Sequence, residues 1–258
     1  MFIIKLGGSV ITDKSRESSF KKDITNKLSR EIKKANIQSI IIHGAGSFGH
    51  IIAKRYNLNQ GFKNKDQLNG FSLTHAMVQK LNSLVLDSLH ENGISAVSIP
   101  PHSILELDDH ELCNMDFSIF KAYLDLGFTP VTFGDVVLDK KLGFSICSGD
   151  LLIQLLTEHF KPEKTVFVID EDGLFTSNPK LDKNAKLIEM VDFNDLLDMS
   201  TALDSHADVT GGMSGKIGSI KKISEFGIDT VLLNGNKPER LYKLLVGKEA
   251  KSTTVVGD

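Results

Sequence analysis

Apolar positions along the chain fall into two alternating patterns: short continuous runs, and longer stretches with helical spacing. Phe2 to Leu6 and Ile37 to Ile42 are compact apolar runs that read as buried strands. Between them Ile24, Leu28 and Ile32 share one helix face, which predicts a helix to about Ala35 with Asp23 as its N-cap. A longer helix is predicted over about Asp66 to Asn92, with Leu73, Met77, Leu81, Leu84 and Leu89 along one side and Gly93 as its stop. Ile94 to Ile99 reads as a strand closed by Pro100-Pro101, Phe117 to Leu126 as a helix, and Phe128 to Phe133 as the next strand. Val136 to Leu138 and Phe144 to Ile146 read as a hairpin, after which Asp150 is expected to cap a buried helix to about Phe160. A strand at Val166 to Ile169, a helix over Gly215 to Phe226, a strand at Thr230 to Leu233, a helix over Glu239 to Val246 and a short last strand complete the pattern.

This alternation, with one hairpin inserted midway, predicts an α/β fold: a mostly parallel sheet with helices on both faces. No repeat or Pro/Gly/Ser linker interrupts it, so 1–258 is read as a single domain. Such sheets bind ligands at the carboxyl ends of their strands. Four glycine turns stand there: Gly7-Gly8-Ser9, His43-Gly44-Ala45-Gly46-Ser47-Phe48-Gly49-His50, Ser148-Gly149-Asp150, and Asp208-Val209-Thr210-Gly211-Gly212 leading to Lys216. Glycine lets backbone approach an anion, and helix N-termini favour negative charge. Together the four turns read as a cradle for a polyphosphate and a second anion.

Familiar phosphate motifs fit poorly. Gly44-x-Gly46-x-x-Gly49 matches the dinucleotide pattern, but no acidic strand end follows about 20 residues on. Thr210 stands where a P-loop needs glycine, and the protein-kinase His-Arg-Asp and Asp-Phe-Gly elements are missing. Lys5, Lys14 and Lys216 flank the turns as cations for a phosphoryl group, and Asp150 could hold them in place. His50 is a candidate in the first turn after Gly49. His43, His75 and His102 show no metal-ligand spacing and read as structural, and no metal-binding protein residue is expected.

Composition narrows the partners. Thirty basic and thirty-three acidic residues give a formal charge of −3, which argues against nucleic acid. No run approaches a membrane span, and no signal segment is visible ahead of Phe2. Cys113 and Cys147, the only cysteines, read as small buried hydrophobes in a cytoplasmic protein.

Together the Lys5-to-Ser9 turn, the His43-to-Gly46 turn, Ser148-Gly149-Asp150 and Asp208 to Lys216 resemble the amino acid kinase family. Within that family the chain looks most like the isopentenyl phosphate kinase branch, on Gly44-to-His50, Ile11-Thr12-Asp13-Lys14 and Phe133-Gly134-Asp135-Val136. The family's usual Thr-Asp-Val-Asp-Gly is here Ile169-Asp170-Glu171-Asp172-Gly173. The resemblance implies an open three-layer αβα sandwich, with acceptor bound by residues about 1–150 and ATP by about 151–258. It implies transfer of phosphate from ATP, with Mg²⁺, to isopentenyl phosphate in isoprenoid biosynthesis, by a homodimer. By motif, Lys5, Lys14 and Lys216 would hold the transferring group and Asp150 would orient lysines. His50, Ala45, Gly49 and Gly149 would grip the acceptor; Gly7, Gly8, Ser9, Gly46, Asp170 and Gly212 would lie along the nucleotide. Phe71, Leu73, Met77 and Leu81 are expected to wall the acceptor's apolar tail. The alternatives are a fosfomycin-type phosphonate kinase and a non-catalytic nucleotide- or anion-binding protein on the same fold.

Overall fold

The run Phe2–Leu6 forms β1, which lies inside an eight-stranded sheet rather than at its edge. This computed structural model describes residues 1–13, 15–179, 181–192, 195–196 and 212–258. β1 pairs in parallel with β2 (Ser39–His43) and with β9 (Lys164–Ile169), so that Lys5 stands opposite Ile42 on one side and Phe167 on the other. β6 (Thr129–Phe133) and β3 (Ala96–Ser98) continue the parallel sheet beyond β2, and β13 (Thr230–Asn234) continues it beyond β9. β14 (Ser252–Val255) is antiparallel to β13 and carries the short β12 (Met190–Val191) on its outer side, while β10 (Leu174–Phe175) and β11 (Leu187–Ile188) form a separate antiparallel pair.

Side chains of β1 alternate between two hydrophobic cores. Ile3 joins Phe120, Leu152 and Ile220, from α5 (Ser118–Asp125), α6 (Gly149–Phe160) and α7 (Gly212–Ser224). Phe2, Ile4 and Leu6 join Leu28, Val85 and Leu241, from α2 (Lys22–Ala35), α4 (Asp66–Glu91) and α8 (Arg240–Leu245). The sheet is therefore covered on both faces, which is the αβα sandwich, and its strands carry near-continuous apolar runs for that reason. Among the described residues no helix is long and apolar enough to cross a membrane.

Four local expectations need correction. The inserted hairpin, β7 (Asp135–Asp139) with β8 (Gly143–Cys147), is half of a four-stranded sheet completed by β4 (Leu105–Asp108) and β5 (Glu111–Met115). Asp23 is not the N-cap of α2: Lys21 holds that position and Asp23 sits in the first turn, where its negative charge is attracted to the positive end of the helix dipole. Asp150 is not the cap of α6 either. Ser148 is, its Oγ accepting from the Leu151 amide at 3.0 Å, so the Asp150 carboxylate is released for other work. Cys147 is buried, but Cys113 is exposed because it lies on β5, the edge strand of the small sheet.

One helix end is held from across the molecule. Glu31 of α2 is buried, and its carboxylate accepts from the Glu239 and Tyr242 amides, at 2.9 and 3.0 Å, around the start of α8. Glu239 itself adopts a left-handed backbone (φ 62°) and provides no side-chain cap, so Glu31 supplies the missing acceptor.

Candidate active site

The first two glycine turns are built against each other. After β1 the chain makes the single helical turn α1 (Gly8–Ile11), and after β2 it enters α3 (Gly46–Arg55). A Cβ on Gly8 would lie 2.7 Å from Gly46 Cα, and one on Gly44 would lie 2.9 Å from the Gly8 nitrogen. These glycines allow two backbones to touch, a role the reading of them as anion-facing alone had not included. Thr12 locks the contact: its hydroxyl donates to Gly8 O at 2.6 Å and accepts from the Ser47 amide at 3.0 Å. The sequence reading quoted Thr12 only as part of a motif, and a β-branched hydroxyl beside two glycine turns was the signal it left unused.

Lys5 is the centre of the site. It points to the α6 side of the sheet, is 4% exposed, and sets its Nζ 2.5 Å from Asp150 Oδ1 and 5.3 Å from the centre of the Phe167 ring. Burial chiefly, with the charge of Lys216 adding to it, lowers the Lys5 ammonium pKa to about 8 against the opposing pull of Asp150. Gly149 makes the arrangement possible, since a Cβ there would stand 3.1 Å from Lys5 Cε and 3.4 Å from His43 O. Three predicted residues from three distant segments, Lys5, Asp150 and Lys216, thus come within electrostatic reach of one another.

Two residues expected along the nucleotide also meet: Ser9 Oγ donates to Asp170 Oδ1 at 2.9 Å, joining the first turn to the chain just beyond β9. Asp172 serves differently. It accepts from Arg240 at 2.7 Å and Asn234 at 3.0 Å and lies 3.0 Å from Lys251. Its burial works against ionisation, but these partners outweigh it and hold the carboxyl well below the usual range.

His50 is exposed on the first turns of α3. Gly49 beside it is explained by packing, because a Cβ there would be 2.8 Å from Val78 of α4. The predicted tail wall divides. Leu81 is fully buried in the core with Met77 packed against it, Phe71 lies 5.2 Å from Phe144 of the hairpin, and Leu73 is 48% exposed. Lys14 and the Asp208-to-Gly211 part of the fourth turn lie outside the described residues, and Gly212 opens α7.

His43 is structural, as its sequence context suggested: burial pushes its pKa down to about 4, and its ring stacks on Phe133 at 5.2 Å. His75 and His102, also read as structural, converge on Asp135 from separate elements, an arrangement that no sequence spacing reveals.

Comparison with known proteins agrees with this geometry. Residues 1–234 match the model of the amino acid kinase family. The chain is 38% identical to isopentenyl phosphate kinase of Methanothermobacter thermautotrophicus, over all of this chain and 99% of that one. It is 34% identical to the same enzyme of Thermoplasma acidophilum, over 99% of this chain and all of that one. A crystal structure described as isopentenyl phosphate kinase superposes with a TM-score of 0.88 at 36% identity, covering 99% of this chain and all of the other. UMP kinase from Ureaplasma parvum shares the fold, with a TM-score of 0.66 at 17% identity, over 99% of this chain and 97% of its own. With the family match spanning residues 1–234, the chain belongs to the amino acid kinase family.

Proposed function

We propose that the protein transfers the γ-phosphoryl group of ATP to isopentenyl phosphate, giving ADP and isopentenyl diphosphate. The observation that carries this reading is the convergence of Lys5, Asp150 and Lys216 beside glycine turns at the carboxyl ends of β1 and β2. The full-length relatives of 34–38% identity that bear that activity in their names support the choice of acceptor.

Phosphoryl transfer needs alignment and charge neutralisation more than covalent help. A phosphate monoester has its second pKa at about 6, so its oxygen attacks as a dianion and no general base is required. The difficulty is that two polyanions must meet. In this reading Lys5, held by Asp150, and Lys216 at the start of α7 share the charge of the transferring group, with Lys14 as a third cation. His50, with the Ala45 and Gly149 backbone, grips the acceptor phosphate. Ser9 and Asp170 border the nucleotide. Mg²⁺ enters with ATP as part of the substrate, since the carboxylates of Asp150, Asp170 and Asp172 are engaged by Lys5, Ser9 and Arg240. The free cysteines fit a reducing cytoplasm.

The test is an acceptor panel with ATP and Mg²⁺: isopentenyl phosphate, dimethylallyl phosphate and fosfomycin, with ADP release measured. Turnover of a C5 monophosphate is expected, and turnover of fosfomycin alone would refute the assignment. His50→Ala is expected to depress turnover with the monophosphate severely while ATP affinity, measured by calorimetry, changes little.

A further inference from the structure

Three side chains that the proposed reaction does not use meet at the base of the β7–β8 hairpin. Asp135 begins β7, His75 lies in the third turn of α4, and His102 sits in the short 3-10 turn Pro101–Ser103. Asp135 Oδ2 is 2.8 Å from His75 Nδ1 and 3.7 Å from His102 Nδ1, and the two rings stand edge to face at 4.3 Å. One potential ligand atom from each residue lies within 4.8 Å of the other two. Donors sharing a tetrahedral ion at about 2.0–2.1 Å are roughly 3.3 Å apart, so the trio is near ligating separation already.

The outer hydrogen bonds are also in place. The Val136 amide donates to Asp135 Oδ1 at 2.8 Å, and Ser103 Oγ is 3.0 Å from His102 Nε2. Such bonds aim the remaining oxygen and ring nitrogen and are a regular companion of metal ligands. The Asp135 side chain is fully covered while those of His75 and His102 are 28% and 34% exposed. An arriving ion therefore enters from the histidine side and meets a carboxylate whose desolvation folding has already accomplished.

We propose that His75, His102 and Asp135 bind one divalent transition-metal ion of the zinc class, at a site separate from the Mg²⁺ that accompanies ATP. Two imidazoles and one carboxylate suit Zn²⁺, Co²⁺ or Ni²⁺, whereas Mg²⁺ prefers an all-oxygen octahedron. The ion ties α4 and the 101–103 turn to the hairpin. Asp135 pairs with Cys147 there, two residues before Gly149, and the neighbouring Gly134 amide donates to His43 O at 3.1 Å. Binding would thus stiffen the strand that leads into the Ser148-Gly149 turn, whatever acceptor the enzyme takes.

The full chain, stripped by chelator and kept free of nucleotide, is titrated with Zn²⁺ by calorimetry and with Co²⁺ by visible absorption. One equivalent is expected, unaffected by excess Mg²⁺, with ligand-field bands of low-coordinate Co²⁺. His102→Gln, on an exposed turn, and Asp135→Asn are each expected to weaken Zn²⁺ binding at least about 100-fold while melting normally in chelator. If Asp135→Asn does not fold, His75→Gln replaces it. Lack of stoichiometric binding, or full binding by folded His102→Gln, overturns the proposal.

Discussion

The Lys5–Asp150 pair and the Asp172 cluster both place charge under partial cover, with opposite balance. At Asp172 one carboxylate receives Arg240, Lys251 and Asn234 together, and its ionised form is favoured. At Lys5 one carboxylate faces an ammonium that already lies in the field of a second lysine, and the charged form of Lys5 is disfavoured. The first is a closed knot that ties the chain after β9 to β13, α8 and the approach to β14. The second holds cations against electrostatic cost, which is sensible only where an anion is to arrive. Surplus positive charge marks the site better than buried charge as such.

Breaking the open cluster should cost activity rather than stability. Lys216→Ala is expected to lower kcat by about 10³-fold, the scale seen when a group that neutralises transition-state charge is removed. Its thermal melt should stay close to that of the parent, and a near-normal kcat would erase the distinction. The pH response of Lys5 sharpens it further. Because its folded pKa is about 8, against 10.5 for the ordinary side chain, kcat/KM for ATP should fall as pH rises through about 8. Stability should move the other way. Between about pH 8 and 10.5 the unfolded chain binds more protons at this residue than the folded one, so this residue's contribution to stability rises with pH. Lys5→Met should abolish that component in chemical-denaturation measurements.

Breaking the closed knot should do the reverse. Asp172→Asn leaves Arg240 and Lys251 without their counter-charge and should destabilise by about 1–3 kcal/mol, read as a melting point lower by roughly 2–4 °C for each kcal/mol. Its kcat at saturating substrate should stay close to that of the parent, because Asp172 is engaged by Arg240, Asn234 and Lys251 rather than by Lys5. The smallest effect is expected for Ser9→Ala. It removes one hydrogen bond to Asp170, worth about 0.5–1.5 kcal/mol, and should appear mainly as a raised KM for ATP.

The central strands were legible in the sequence because burial on both faces leaves uninterrupted apolar runs such as Ile40-Ile41-Ile42. The β4–β5 hairpin was not. Its strands carry mixed polar residues, and its turn is Asp109-His110, with φ of 54° and 71° where Asn-Gly would be the recognisable pair. That turn is sustained from elsewhere: the Asp139 carboxylate accepts from both turn amides, at 3.0 and 2.9 Å, and from Ser145 Oγ at 2.8 Å. A long-range acceptor that replaces a local turn signal leaves no trace in a window of sequence. The same holds for the His75–His102–Asp135 trio, assembled from α4, a 3-10 turn and β7. Among the site residues, Lys5, Asp150 and Gly149 were legible because each sits at a strand end or helix start. The cap at Ser148 was misread because Asp150, two residues later, is an equally acceptable capping type.

The position of β1 has a consequence for how the chain is made. It is synthesised before both of its partners, yet it ends between β2 and β9, the latter more than 150 residues later. At about 5–20 residues per second one edge of this mostly apolar strand waits roughly 8–30 s for its partner. During that interval β1 and β2 can pair, but their free edges remain open to other nascent chains. Lys5, the one charge on that strand, interrupts the apolar run in the way that gatekeeper charges discourage edge-to-edge aggregation.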